Sequence, residues 1–353
     1  MSQPYALTFE PILKEKVWGG RRLARYGKPL VGDARFGESW EIADLAATSA
    51  SGGGGASAVS VITNGSMAGR TIADAIAAWG ADLLGADGLE RAHTVGEQTG
   101  AGRASFPLLI KYLDASEHLS VQVHPSKAYA RAHPGAHLKT ESWYVVEAEE
   151  TILPDGSAMA PSVFVGLHGD VAEDEFRAHI AAGTAAGDLR TMRAVPGACH
   201  TLPSGTVHAL GGGVLVAEVQ TPSDTTFRVY DWVAEYGRPE RELHIDQAVA
   251  CIDFEDGDPV PPIDASGGGC AARTAYYVID VVNGACGLGD HGYERGRMTV
   301  VMVTAGRGTL HGSGDDVALR AGTTVLVPAA HAGDARISGD GGLRSLVIGL
   351  GSV

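Results

Sequence analysis

The sequence predicts a mainly β protein: a double-sheet jelly roll with helical insertions, followed by a second, smaller β block. Three observations carry that expectation. Valine- and threonine-containing runs punctuated by Gly, Pro and Asp dominate the second half of the chain, the pattern of many short strands. Polar residues two apart interrupt such runs in Ser120-Val121-Gln122-Val123-His124-Pro125 and in Lys139-Thr140-Glu141. A Pro-x-Gly turn, Pro203-Ser204-Gly205, then leads into Thr206-Val207-His208. Antiparallel strands joined by such turns, with polar side chains converging between them, fit two sheets closed on one another.

Along the chain, residues 5–45 hold short strand-like runs, broken at Trp18-Gly19-Gly20 and at Gly37-Glu38-Ser39-Trp40-Glu41. Residues 49–58 are rich in Ser, Gly and Ala and read as a surface insertion. Ile72, Ala75, Ile76, Trp79 and Leu83 keep helical spacing over 71–84. A polar, Gly-containing loop over 93–104 leads to a buried strand at 106–113. Strands follow at 119–123, 141–148 and 162–167, then a helix over 170–193 with Phe176, Ile180 and Leu189 on its buried side. Further strands occupy 198–202, 206–209, 214–220 and 226–231, and 243–252 reads as a connecting helix. From there strands recur at 275–282, 298–304, 323–327 and 344–349. The expected division is therefore a first domain over 1–255 and a second over 256–353.

Length and composition bound the function. A chain of 353 residues allows about two domains, each able to bury a core. A formal charge of −15 argues against nucleic acid, whose phosphates need a basic surface. An anionic substrate must then be gripped by a local basic cluster. The first residues, Met1-Ser2-Gln3-Pro4-Tyr5, lack the basic and apolar regions of a signal peptide, and no stretch approaches a membrane span. Cys199, Cys251, Cys270 and Cys286 have no C-x-x-C spacing. A cytoplasmic protein without a membrane partner is the simplest reading.

The chemistry sits in the convergent strands. Side chains two apart on a strand share a face, so Gln122 and His124 aim at one point, as do Lys139 and Glu141. His208, after its turn, brings a third strand to the same cavity. Two imidazoles, a carboxylate and an amide oxygen suit one divalent metal, zinc first among them.

Pro203-x-Gly205-x-x-His208 resembles the second motif of the cupins, and Gln122-x-His124 with Glu141 the first, with glutamine in place of one histidine. The chain is similar to the short bacterial form of the type I mannose-6-phosphate isomerases. Matching segments include Trp18-Gly19-Gly20, Gly37-Glu38-Ser39-Trp40-Glu41, Lys111-Tyr112-Leu113-Asp114-Ala115, Lys139-Thr140-Glu141-Ser142-Trp143-Tyr144 and Thr225-Thr226-Phe227-Arg228-Val229-Tyr230-Asp231. The likeness covers residues 5–255 well; beyond that only the strand pattern fits. It implies a cupin barrel followed by a degenerate cupin-like domain. It also implies one Zn2+ per chain on Gln122, His124, Glu141 and His208, and a catalytic arginine at Arg228. The implied reaction interconverts mannose 6-phosphate and fructose 6-phosphate, with a small sugar phosphate as partner. The insertions at 49–58 and 93–104, and Ala217 before Glu218, depart from the family without touching a proposed ligand.

Around that metal, Lys139 points inward beside Glu141, and Glu218 or Lys139 is assigned to proton transfer. Lys111 and Ser120 are placed as substrate-binding residues. If strands 214–220 and 226–231 are neighbours, Glu218 and Arg228 line one cavity. Trp40, Trp143 and Trp232 either line a sugar pocket or pack the core. A non-catalytic sugar-phosphate sensor and an iron-dependent cupin oxygenase are the competing readings. The sequence is silent on oligomeric state.

Overall fold

The computed structural model describes residues 3–49, 56–153, 156–254, 259–291 and 296–351. Most of the glycine-rich insertion, at 50–55, lies outside the described residues. Two antiparallel sheets form the first barrel. The larger runs in the order Ile263–Asp264, Ala198–Leu202, Glu141–Ala148, Val214–Gln220, Leu109–Ala115, Ile12–Gly20 and Phe36–Ile42. The smaller runs Leu189–Arg193, Ser162–Leu167, His208–Leu210, Val121–Val123 and Phe227–Tyr230.

Period-two alternation assigns each residue to a layer. Val214 and Val216 point between the sheets and pack with Leu113, Val145, Val163 and Leu210, which come from both. Leu215, Ala217 and Val219, on the opposite face, pack with Tyr277, Met302 and Ile348 of the C-terminal half. Val121 and Val123 turn outward from the smaller sheet onto Phe176 and Ile180 of the helix Glu173–Ala182. The polar residues between those valines are thereby forced inward.

A second pair of sheets follows. Six strands run Leu7–Thr8, Thr324–Val327, Thr299–Ala305, Arg344–Leu350, Tyr277–Asn283 and Gly269–Arg273. Four shorter ones run Cys286–Gly287, Arg336–Gly339, Arg307–His311 and Val317–Arg320. Val301, Leu310, Val325, Ile337 and Val347 fill the space between them. Two pairings cross position 255. Leu7 lies opposite Leu326, and Cys199 opposite Ile263. Tyr112, on the first barrel, donates to the Val303 carbonyl at 2.7 Å. No helix among the described residues is long and apolar enough to cross a membrane.

Several elements differ from the sequence expectation for identifiable reasons. The motifs at 18–20 and 37–41 lie within strands rather than between them. There the bare glycines let two strands approach closely: a Cβ on Gly19 would lie 2.4 Å from the Gly37 nitrogen. The helix expected over 170–193 ends at Ala182, and Leu189–Arg193 is a strand. The loop expected from 93 is instead occupied by the helix Ala86–Gln98. Its buried face is Gly88, Ala92 and Gly96, two of them glycines that read from sequence as loop residues. Gly96 packs so close to the returning chain that a Cβ would meet the Arg103 carbonyl at 1.7 Å. The connecting helix shortens to Ile245–Val249.

One buried ion pair ties the barrel corner. The Arg22 amide and Nε donate to the Asp114 carboxylate at 2.6 and 2.7 Å, and its Nη atoms reach the carbonyls of Gly213, Ala115 and Val214. The Asp114 side chain is 0% exposed. Removing only the cation strands a buried carboxylate, which costs about 3–5 kcal/mol. Arg22→Ala should lower stability by that amount in urea unfolding, and a loss under 1 kcal/mol would show the pair to be dispensable.

Candidate metal centre and active site

The strand Val121–Val123 places Ser120, Gln122 and His124 on the inner face, because its valines are committed outward. Gln122 lies directly opposite His208 on one side and Arg228 on the other. The turn before His208 is fixed by Thr206 N–H donating to the Pro203 carbonyl at 3.1 Å. Gly205 N–H donates to the His124 carbonyl, also at 3.1 Å. Across the barrel, Glu141 opens the strand Glu141–Ala148, with Leu202 and Gln220 as its register partners. The donor residues therefore come from both sheets and meet between them.

Backbone contacts orient the imidazoles. His124 Nδ1 lies 3.0 Å from the Thr225 carbonyl, and His208 Nδ1 lies 2.8 Å from the Thr206 carbonyl. A carbonyl only accepts, so each Nδ1 carries the proton and each Nε2 keeps its lone pair. Those Nε2 atoms approach the two Glu141 oxygens at 3.3 and 3.2 Å. The ligand atoms of His124, Glu141 and His208 all lie within 4.8 Å of one another, and all three residues are buried. The Gln122 amide end sits 3.3 Å from His208 Nε2. A half-turn of that amide brings its oxygen to the same place.

The donor set fits a divalent cation. Among the described residues neither buried Glu141 oxygen has an aligned hydrogen-bond donor, so a buried carboxylate is left with room for a second cation. Lys139 Nζ already stands 2.7 Å from Glu141 Oε2 and donates to His124 Nε2 at 3.0 Å. Burial, helped by Lys139, pushes the His124 imidazole down to about 3, so it is neutral at physiological pH. Burial alone would raise the Glu141 carboxyl, but Lys139 beside it holds it well below the usual carboxylate range.

Deeper in the larger sheet, a row of inward side chains lies in register: Trp40 opposite Lys111, Lys111 opposite Glu218, Glu218 opposite Trp143. Lys111 Nζ is 3.3 Å from Glu218 and 3.8 Å from Glu38. Trp143 Nε1 donates to Glu218 at 3.4 Å. Burial, opposed by Lys111 and reinforced by Glu141, pushes the Glu218 carboxyl up to about 8. It can hold or release a proton near neutrality. Burial would lower Lys111, yet Glu218 and Glu38 raise it, so the ammonium stays charged.

The condition set for Glu218 and Arg228, that strands 214–220 and 226–231 be neighbours, is not met. Their strands belong to different sheets, and the partner of Glu218 is Lys111. Arg228 shares the inner face with Gln122. Its Nη1 donates to the Glu242 carbonyl at 2.7 Å, while its buried Nε has no hydrogen-bond partner among the described residues. Trp232 packs with the outer cluster of the smaller sheet against His118 and Tyr230. Trp40 and Trp143 flank the Lys111–Glu218 row. Sequence reasoning gave no role to Glu38, which accepts from Trp40 Nε1 at 2.6 Å and pairs with Lys16 at 3.0 Å. Its alternation with Trp40 on one strand was the available signal.

The chain is similar to proteins of known family. Residues 7–154 match the family described as phosphomannose isomerase type I, catalytic domain. A Bacillus subtilis (strain 168) protein named probable mannose-6-phosphate isomerase GmuF is 32% identical over 347 residues, covering 95% of this chain and 96% of its own. The chain belongs to the type I phosphomannose isomerases. Sequence likeness within that family thus runs nearly end to end, further than the 5–255 legible from motifs. The mannose-6-phosphate isomerase of Streptococcus mutans is 36% identical over 252 residues, 70% of this chain and 67% of that protein. The crystal structure of the Bacillus subtilis mannose 6-phosphate isomerase superposes with a TM-score of 0.72 at 26% identity, covering 98% of this chain and 99% of that one. The Salmonella typhimurium enzyme, solved with f6p and zinc bound, shares the fold at a TM-score of 0.64 and 15% identity, covering 98% of this chain and 100% of that one.

Proposed function

We propose that this type I phosphomannose isomerase interconverts mannose 6-phosphate and fructose 6-phosphate, using one zinc ion per chain. The observation that carries the reading is the meeting of His124, Glu141 and His208 beside the buried Lys111–Glu218 pair. Gln122, His124, Glu141 and His208 would hold the ion, with Gln122 adding a donor and no charge. When bound, zinc supplies Lewis acidity toward the substrate's carbonyl end.

The protein's own groups do the rest. Aldose–ketose isomerisation moves one proton between adjacent carbons through a cis-enediol. Glu218, balanced near neutrality, takes and returns that proton; Lys139, beside the ligands, is the other candidate. Lys111, held charged between two carboxylates, steadies the oxygen on which negative charge grows. Arg228 offers its spare Nε–H to a substrate oxygen, as a planar fork suits phosphate or an enediolate. Ser120, buried on the same face, contacts a sugar hydroxyl. Four free cysteines support a reducing, cytoplasmic setting.

A coupled assay with mannose 6-phosphate tests this directly. Turnover should vanish with a chelator and return with zinc. Binding without turnover would make the chain a sensor, and activity confined to iron with dioxygen would make it an oxygenase.

A further inference from the structure

The chain holds a cleft of about 990 Å³, and none of the proposed ligands or catalytic groups lines it. One wall is the helix Lys127–Ala132, the other the helix Ala86–Gln98 with residues 275–276 and Arg297. Its charge runs against the whole molecule. Arg91, Lys127, Arg131 and Arg297 face the cleft against only Asp87 and Glu90, in a chain of net charge −15.

The two wall faces use their cations differently. Arg91 is spent on backbone, donating to the Gly351 carbonyl at 2.6 Å and the Ala275 carbonyl at 3.2 Å. Arg297 pairs with Asp87 at 3.2 Å. Lys127 and Arg131 are exposed, and among the described residues neither has a carboxylate partner. They stand four apart on one short helix, where like charges repel. An anion bridging both relieves that repulsion. Tyr276, Pro222 and Leu350 add apolar surface to the lining.

The cleft also shares a wall with the metal centre. His137, Leu138, Thr221 and Pro222 line it, and their segments are stitched together. Thr221 Oγ1 donates to the Leu138 carbonyl at 3.0 Å, Thr221 N–H to the Thr140 carbonyl at 3.1 Å, and Ser223 Oγ to the His137 carbonyl at 3.0 Å. The next residues on those segments are Lys139 and Glu141 on one side and Gln220, opposite Glu141, on the other.

We propose that this cleft binds an organic polyphosphate, a small molecule with at least two phosphates. Lys127 and Arg131 hold the phosphates, the organic body rests on Tyr276, and occupancy alters turnover through the shared 137–141 and 220–223 wall. The proposal goes beyond the isomerase reading, because binding is measured without turnover.

The test is calorimetry on the zinc-loaded full chain with ADP, fructose 1,6-bisphosphate and inorganic pyrophosphate, each at fixed salt. ADP or the bisphosphate should bind, and the double variant Lys127→Glu/Arg131→Glu should weaken that binding about tenfold or more. Which of the two binds more tightly identifies the organic body. Tyr276→Leu should weaken the organic ligand and leave pyrophosphate unchanged; equal effects on both would overturn the role of the ring. Zinc content is measured before and after, since metal stripping acts equally on wild type and double variant. Absence of binding, binding untouched by the double variant, or binding that tracks zinc loss would each overturn the site. The double variant should keep its KM for mannose 6-phosphate. A raised KM would make these cations part of the substrate site and overturn a separate cleft. With the site intact, the bound polyphosphate should shift kcat in wild type and leave the double variant unaffected.

Discussion

Arg228→Ala is expected to lower turnover by about 10²–10³-fold, the usual effect of losing one charged donor from the reacting region, while bound zinc stays near one per chain. The structure separates Arg228 from the residues proposed to hold the metal. It lies across from Gln122 on the edge strand of the smaller sheet, and its guanidinium is held by the Glu242 carbonyl rather than by His124, Glu141 or His208. Its Nε, buried without a partner, is the donor free for substrate. Removing the side chain takes away a buried cation that pairs with no donor of the metal set. Arg228→Lys should recover only part of the activity, because an ammonium cannot reproduce the planar fork. Metal analysis alongside the coupled assay decides the matter. Zinc loss in Arg228→Ala would place the arginine in the metal's support and not in the reaction.

The convergence of these side chains was legible in the sequence because its geometry is local. Gln122 and His124 are two apart on a strand whose intervening valines must face the helix Glu173–Ala182, so alternation alone aims both inward. His208 was legible through its turn. Where the sequence misled, the missing information was long-range. Strands 214–220 and 227–230 follow each other in the chain, yet the chain crosses from one sheet to the other between them. Consecutive order therefore says nothing about whether Glu218 meets Arg228. The pairing of Leu7 with Leu326 has no local signature, since two short apolar strands carry no mark of their partner. The helix Ala86–Gln98 was hidden for another reason. Its contact face is made of Gly88, Ala92 and Gly96, and glycines inside a polar stretch read as loop punctuation rather than as a packing face. Glu38 escaped notice because a lone carboxylate on a strand reads as a solvated face. Its burial follows only once Lys111, Trp40 and Lys16 are seen around it.

His124→Ala is expected to give the opposite phenotype to Arg228→Ala: no zinc retained after dialysis and turnover at background. His124 is the donor on which most of the cluster depends. Its Nε2 faces Glu141 Oε2 at 3.3 Å and accepts from Lys139 at 3.0 Å, while its Nδ1 anchors it to the Thr225 carbonyl. Truncation removes a neutral lone pair that no neighbouring side chain replaces. Glu141, 0% exposed, would then rely on Lys139 alone, which favours a closed ion pair over a metal site. A ligand that binds only the folded state raises its stability by mass action. Added zinc should therefore raise the Tm of the wild type and of Arg228→Ala, and leave His124→Ala unmoved. A His124→Ala protein that still bound one zinc and was stabilised by it would relocate the metal away from this donor set. The buried row of Lys111 and Glu218 would then need another electrophile to act against.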